Sequence, residues 1–485
     1  MLILITAVGA FLRFQEPLIH VHFFDEDVFL HKAQRINANG TTNSCEYGVF
    51  EKNHLRCLWE NKDVEISKNG YPLLLSFIFK IFGTNEFVAF RFNTLIGILT
   101  IVLAYLITKN LWSESAGLLS AIFIAVFPYH IHWSVSISSE IPAILFILSS
   151  FLFFIYYSKN KKFHFLTLSF LLIFLASSMR NGEPLLLLPS YGFLLIKYFK
   201  EILNNIKNSW MATIQFITTA FFLGVNLLTI ILINSKYLNI TENLLGENKI
   251  FSINYFTRSL DSLVQFHFAA HDFFTLLLLI SSAIGLYRLA KKSPRMAFLL
   301  GSSTLTIFLL YSFFSFSLAN TPSTSRLIMV WMTILILVAG IGLDTIWVKV
   351  FKKYRTFGVL SILIALSIYV RLNIDRLSTS RDQNLNKVEQ AKLEVEAKNP
   401  TCIFVDYIPE QDLFHGYNAI GTSLFERTLK SRDPTLMKQP CIIFFETTLC
   451  KTEKNMSCHT ILSNNKWEKL EVTNINAYLL KKTLY

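Results

Sequence analysis

Apolar runs separated by short polar connections dominate the chain, falling at about residues 1–14, 87–108, 115–133, 137–157, 163–180, 184–199, 211–234, 272–290, 296–318, 325–348 and 355–372. Runs of about twenty apolar residues can cross a hydrocarbon core roughly 30 Å thick. Inside lipid they must be helices, because only a helix pairs all of its own N–H and C=O groups within one segment. The pattern predicts an all-α polytopic membrane protein with about 11 transmembrane helices. An odd number puts the two chain ends on opposite sides. The first run, Met1 to about Phe14, lacks the small-residue cleavage site of a signal peptide and is read as a span.

Two stretches break this rhythm. A long polar loop runs from residue 17 to 70 and carries Cys45 and Cys57, and a second loop covers 235–271. Between the first loop and the second span, Tyr71–Phe82 is apolar but too short to cross, and is expected to lie as a helix at the interface. After about residue 376 the chain turns polar, with β-like runs at Thr401–Tyr407 and Cys441–Thr447. The expected division is a transmembrane domain over 1–375 and a small α+β domain over 376–485.

Composition and charge sharpen this picture. Only 16% of residues are charged, against about 25% in soluble domains. The formal net charge of +12 would suggest nucleic acid in a soluble chain. Here the positions of the cations matter more, and no nucleic-acid partner is expected. Lys159, Lys161 and Lys162, then Lys197, Lys200 and Lys207, then Arg288, Lys291, Lys292 and Arg295, then Lys349, Lys352, Lys353 and Arg355 fall in alternate connections. The intervening connections, near 130–136, 181–182 and 319–325, carry almost none. The positive-inside rule makes the basic set cytoplasmic, with a cytoplasmic N-terminus and an extracytoplasmic C-terminal domain. All six cysteines (45, 57, 402, 441, 450 and 458) and the sequons at Asn39, Asn239 and Asn455 fall on the other face. That distribution suits disulfides in an oxidising space, with Cys45–Cys57 a candidate local pair.

Candidate chemistry gathers on that outer face. Asp25, Glu26 and Asp27 follow the first span and open an amphipathic segment in which Asp25, Phe29 and Ala33 share a helical face. Acidic residues at a helix N-terminus also simply complement its dipole. Arg13 closes the first span, Arg180 and Glu183 follow another, Arg326 opens a late one, and Glu140 lies early in a span entered from the same side. Charges near lipid face a cavity, a partner or the interface, and forked guanidinium donors suit a phosphate. His20, His22, His130, His132, His267 and His271 lie towards the same face; the last two have metal-ligand spacing, without further ligands beside them. No phosphate-cradling loop, catalytic-triad arrangement or ATP motif is present, which argues against an energised pump.

Leu12-Arg13-Phe14, Asp25-Glu26 in a long first outer loop, Tyr71-Pro72-Leu73-Leu74, Phe82-Gly83, Arg91-Phe92-Asn93, Pro128 and Ser325-Arg326-Leu327 occur in an order and spacing that resembles the polytopic glycosyltransferases of the C superfamily. The likeness is greatest to the dolichyl- or polyprenyl-phosphate-sugar family, which includes protein mannosyltransferases and aminoarabinose transferases, and it covers roughly residues 1–345. The resemblance implies inverting transfer of a sugar from a polyprenyl-phosphate donor to a protein, lipid or glycan acceptor on the outer face. It implies Asp25 as the base, with Glu26 its neighbour. The charged residues weighed above, Arg13, Arg180, Arg326 and Glu140, together with His132, are the candidate substrate contacts. Asn69-Gly70-Tyr71-Pro72 stands where the family has His-Pro-Pro, which sets the acceptor contacts apart. Asp25 and Asp27 form an Asp-x-Asp similar to that of oligosaccharyltransferases that hold a divalent metal, Mg²⁺ or Mn²⁺, there; the tail lacks their Trp-Trp-Asp-Tyr-Gly, so that version ranks second. A lipid or sugar transporter without covalent chemistry is the rival class. It would place charges at mid-membrane and relate broken helices by a repeat, and no repeat is visible.

Overall fold

The computed structural model describes residues 1–16, 23–51, 54–61, 69–180, 187–208, 273–313 and 329–350 continuously, and shorter stretches elsewhere, including five strands after residue 402. It is mostly helical, with one sheet, and its apolar helices are those of a polytopic membrane protein. The chain divides into two compact units. Unit 1 holds Met1–Val21, Ile66–Tyr71 and Phe87–Ser380; unit 2 holds His22–Glu65, Pro72–Glu86 and Arg381–Tyr485.

In unit 1 the helices are α1 (Leu2–Gln15), then α4 (Glu86–Leu111), α5 (Glu114–Val126), α6 (Pro128–Ser134), α7 (Glu140–Asn160), α8 (Phe163–Met179) and α9 (Leu188–Asn208), followed by α10 (Phe273–Lys292), α11 (Pro294–Phe313) and α12 (Met329–Val350). Among the described residues three helices are long and apolar enough to cross a membrane, or four if the bent pair α5–α6 is one span. Ser113 caps α5 by accepting from the Ala116 N–H at 3.1 Å. α10 and α12 pack backbone to backbone. A Cβ on Gly285 would run into the Val338 carbonyl and one on Gly342 into the Ser281 carbonyl, the close approach that small residues permit between membrane helices.

The run read as one span at 115–133 is two helices meeting at 59°. Pro128 is the cause: it has no N–H to give the carbonyl four residues back, that of Ile124. Left alone in an apolar bundle, such carbonyls cost several kcal/mol each. Arg13, fully buried, takes up the freed acceptors. Its Nη2 donates to the Ile124 carbonyl at 3.1 Å, and its Nη1 donates to the Ala125 carbonyl at 3.1 Å and to Gly9 of its own helix at 2.8 Å. Nη2 also meets His130 Nδ1 at 2.9 Å, and Nε lies 3.4 Å from Ser134 Oγ. A guanidinium only donates, so His130 Nδ1 accepts and its proton sits on Nε2, 3.0 Å from Thr100 Oγ1. Thr100 in turn donates to the Gly97 carbonyl at 2.7 Å.

Unit 2 contains α2 (Phe23–Asn39), most of α3 (Gly70–Phe82) and a seven-stranded sheet of order β2-β1-β4-β3-β5-β7-β6. Strands β1 (Ser44–Glu51) and β2 (His54–Asn61) come from the first loop; β3 (Ile403–Asp406), β4 (Ala419–Gly421), β5 (Ile442–Phe445), β6 (Trp467–Val472) and β7 (Ile475–Leu480) come from the tail. The loop hairpin joins the tail's strands through antiparallel pairing of β1 with β4, so one sheet is built from both ends of the sequence. Its centre, β4-β3-β5, is parallel and apolar on both faces, as parallel strands require. Ile403 and Val405 pack with Tyr47 and Phe444 in one layer, while Phe404 packs with Tyr417 and Ile443 in the other. Disulfides join Cys45 to Cys57 and Cys402 to Cys441. Helix α3 is amphipathic by exposure: Leu73, Phe77 and Ile81 are exposed at four-residue spacing, while Leu75 and Phe79 are buried.

Arg13→Met should strand the Ile124 and Ala125 carbonyls at about 1–3 kcal/mol each, lowering the thermal midpoint of the detergent-purified protein. Arg13→Lys should recover only part, having three donors in place of five. Pro128→Ala returns an N–H to the break, so Arg13→Met should cost less in that background. An equal cost in both backgrounds would separate Arg13 from the break.

Candidate active site

The acidic run opens α2, as its sequence suggested, but the helix is buried on more than one side. Phe29 and Ala33 are buried, Asp25 is half-buried, and Glu26 and Asp27 are each only 1% exposed. Lys32 and Arg35, further along the helix, are buried too. The reason for Arg35 is local: its Nη1 donates to the Asn43 carbonyl at 2.6 Å and its Nη2 pairs with Glu60 on β2. Asn43 Nδ2 donates to the other Glu60 oxygen at 3.1 Å. This clamp ties the end of α2 to the hairpin and so fixes the helix that carries the three carboxylates. His31, fully buried, is held neutral: burial, then the neighbouring Arg35 and Lys32 charges, lower its pKa to about 3, with the Gln34 side chain acting in the opposite direction. The amphipathic pattern sets Lys32 and Arg35 opposite Phe29 and Ala33, but nothing in it marks these two or His31 as buried. The alternation of Cys45, Tyr47 and Val49 against Leu55, Cys57 and Trp59 around a four-residue turn was the available signal for the hairpin.

A second set of polar side chains lies in unit 1. Glu140, at the first position of α7, forms a buried ion pair with Arg180 at the end of α8. The two residues weighed singly from sequence are therefore partners. Asn93, on α4, donates to the Ser136 and Ser138 carbonyls at 2.8 Å each, holding the strand of chain that leads into Glu140. The Tyr71 hydroxyl donates to Asn93 Oδ1 at 3.0 Å. Gly70, one residue earlier, sits against the end of α8; a Cβ there would lie 2.7 Å from the Ser178 carbonyl. The Asn-Gly-Tyr-Pro departure from the family's pattern is thus wired, through Tyr71 and Asn93, to the segment that positions the Glu140–Arg180 pair. His132 is buried edge-on to the Trp133 ring, with centroids 5.8 Å apart.

Arg13 is not open to a ligand in this arrangement, since its N–H groups are directed at the α5–α6 break and at His130 and Ser134. Arg326, Glu183, His20, His22, His267, His271 and, apart from Phe256, the loop 235–271 lie outside the described residues. Among the described residues no three His, Cys, Asp or Glu side chains converge as metal ligands.

Residues 70–224 match the family model described as dolichyl-phosphate-mannose-protein mannosyltransferase. An uncharacterized protein of Aquifex aeolicus (strain VF5) is 32% identical over 151 residues. That match spans 29% of this chain and 29% of the relative's length. The fold is similar to ArnT from Cupriavidus metallidurans in the apo state, with a TM-score of 0.62, 10% identity, and 98% and 97% of the two chains covered. The same enzyme bound to undecaprenyl phosphate gives a TM-score of 0.59 at the same identity and coverage. The oligosaccharyltransferase AglB from Archaeoglobus fulgidus, in complex with an inhibitory peptide and a dolichol-phosphate, gives 0.57 at 12% identity, over 94% of this chain and 70% of that one. At such identities the structural likenesses speak for the fold alone. In sequence over residues 70–224, and in fold over nearly its whole length, the chain resembles the C-superfamily membrane glycosyltransferases of the polyprenyl-phosphate-sugar family.

Proposed function

We propose that this protein is a membrane glycosyltransferase that moves a sugar from a polyprenyl-phosphate donor to an acceptor hydroxyl, with inversion. The observation that carries the reading is the family-model match over residues 70–224, the segment whose Tyr71, Asn93, Glu140 and Arg180 form one connected polar set. The fold likeness to ArnT and AglB, solved with undecaprenyl phosphate and dolichol-phosphate respectively, supports a lipid-phosphate donor. A lipid donor also accounts for an enzyme embedded in the bilayer.

In this reading Asp25 accepts the proton of the acceptor hydroxyl as its oxygen attacks the anomeric carbon from the face opposite the phosphate. The bond from that carbon to the phosphate oxygen breaks, and the polyprenyl phosphate leaves with the electron pair. Preorganised guanidinium donors stabilise the negative charge that develops there. Arg180 and Arg326 are assigned to this role, and Glu26 is the lesser neighbour of the base. Glu140 aims Arg180, and His132 contributes on the substrate side. Arg13 belongs to the scaffold in this scheme. The bundle has about 11 spans, with the N-terminus in the cytoplasm and the tail outside. Thiol labelling of the reduced protein in intact cells should reach the tail cysteines from outside; labelling only after permeabilisation would contradict the orientation.

Single-turnover transfer at saturating donor tests the base. Asp25→Asn should lower the rate about a hundredfold or more, and Glu26→Gln less. Asp27→Asn with rescue by added Mn²⁺ or Mg²⁺ would favour the oligosaccharyltransferase-like version. Arg180→Lys keeps the charge and the pairing with Glu140 but loses the fork, so apparent donor affinity should fall while the protein still inserts and folds. Wild-type transfer by Asp25→Asn would remove the assignment of the base. Unchanged donor dependence in Arg180→Lys would leave Arg180 as no more than the partner of Glu140.

A further inference from the structure

The cations at the basic end of unit 1 are held in a pattern that their topological role does not require. At the C-terminus of α4, Asn110 accepts from Lys159 Nζ at 3.1 Å, and the Trp112 carbonyl accepts from Lys292 Nζ at 3.1 Å. The Lys292 ammonium also lies 4.4 Å from the Trp112 ring centroid. On α9 the buried Tyr198 does the same for another pair: Lys161 Nζ sits 4.0 Å above its ring, and Arg295 stacks at 5.1 Å while donating to the hydroxyl at 3.3 Å. The two supports are cross-linked by sequence, because Lys159 and Lys161 leave the same helix end and Lys292 and Arg295 flank the same turn. Three of these cations, from α7, α10 and α11, are thereby held on two aromatic rings, and Lys159 is held beside them by Asn110.

Two further observations set this cluster apart from a scatter of topological lysines. Lys161 ends α7 in the left-handed region, with φ of 58°. Gly or Asn is the residue suited to that cap, yet a lysine stands there with its ammonium on the Tyr198 ring. Nearby carboxylates are engaged elsewhere: Asp344 accepts from Ser113 at 2.8 Å and from Ser115, and Glu114 lies 3.4 Å from the Tyr105 hydroxyl that also takes Lys109. Among the described residues Lys159, Lys292 and Arg295, all exposed, make no ion pair. Lys159, Lys292 and Arg295, like charges without a counter-charge, call for an anion, and they stand at the ends of α4 and α7, helices long and apolar enough to cross a membrane and so to end where lipid headgroups begin.

We propose that Lys159, Lys161, Lys292 and Arg295 form a clasp for the phosphate of an anionic membrane phospholipid, which ties together the ends of α4, α7, α9, α10 and α11. This site is independent of the sugar-transfer chemistry. Purified full-length protein in uncharged detergent, titrated with phosphatidylglycerol or phosphatidylcholine and followed by native mass spectrometry and thermal unfolding, tests it. Phosphatidylglycerol should form discrete adducts and raise the midpoint, and phosphatidylcholine should not. Lys292→Ala with Arg295→Ala should weaken those adducts on the order of tenfold or more, while Lys200→Ala with Lys207→Ala, an equal loss of charge, should leave them intact. Lys159→Gln serves if the double variant does not fold. Equal effects of both lipids, or equal losses in the cluster and control variants, would overturn the clasp. So would sodium phosphate alone reproducing the protection, because the ligand would then be a soluble anion.

Discussion

Everything in the apolar bundle depends on pairing backbone groups that water cannot reach. The constraint is sharpest where Pro128 interrupts the span built from α5 and α6, freeing carbonyls in the middle of packed helices. One side chain, Arg13, answers this by crossing from α1 to the break. The charge that looks most out of place at the end of an apolar helix therefore stabilises the fold by donating to neutral acceptors. His130, with its tautomer set by Arg13, passes the order on to Thr100 and α4, so three helices are registered around one guanidinium. The same α4 carries Asn93, whose amide holds the chain entering α7.

Unit 2 solves a different problem, positioning three adjacent carboxylates on a helix that lies among polar partners. The Arg35–Glu60–Asn43 clamp ties α2 to the hairpin, the Cys45–Cys57 disulfide closes the hairpin, and the Cys402–Cys441 disulfide joins the starts of β3 and β5. His31, held neutral, adds no charge beside Lys32 and Arg35 in the interior of this helix.

Much of this could be read from the chain. Hydropathy located α4 at Glu86–Leu111 and α8 at Phe163–Met179 to within a few residues, because lipid leaves a long apolar run one conformation, whereas α9 runs on to Asn208, past the end of its apolar run at 199. The strands at 403–406 and 442–445 fell inside the β-like runs of the tail. What escaped was long-range pairing. Arg13 is over a hundred residues from its acceptors, and nothing local marks a carbonyl as orphaned except the proline that follows it. The hairpin at 44–61 escaped because a polar loop with two cysteines looks complete without a partner sheet, and the partner strands lie more than 350 residues downstream. Glu140 and Arg180 were each visible as charges near span ends, but their pairing rests on the packing of α7 against α8.

Sugar transfer from a lipid phosphate is the central claim, and the most direct measurement offers the purified protein a panel of radiolabelled polyprenyl-phosphate sugars with a mixture of acceptors. The account predicts that at least one donor is consumed, with free polyprenyl phosphate and a glycosylated acceptor of inverted anomeric configuration appearing in equal amounts. Donors that stay chemically intact while the reconstituted protein moves them from one leaflet to the other would contradict it, and would make the protein a transporter.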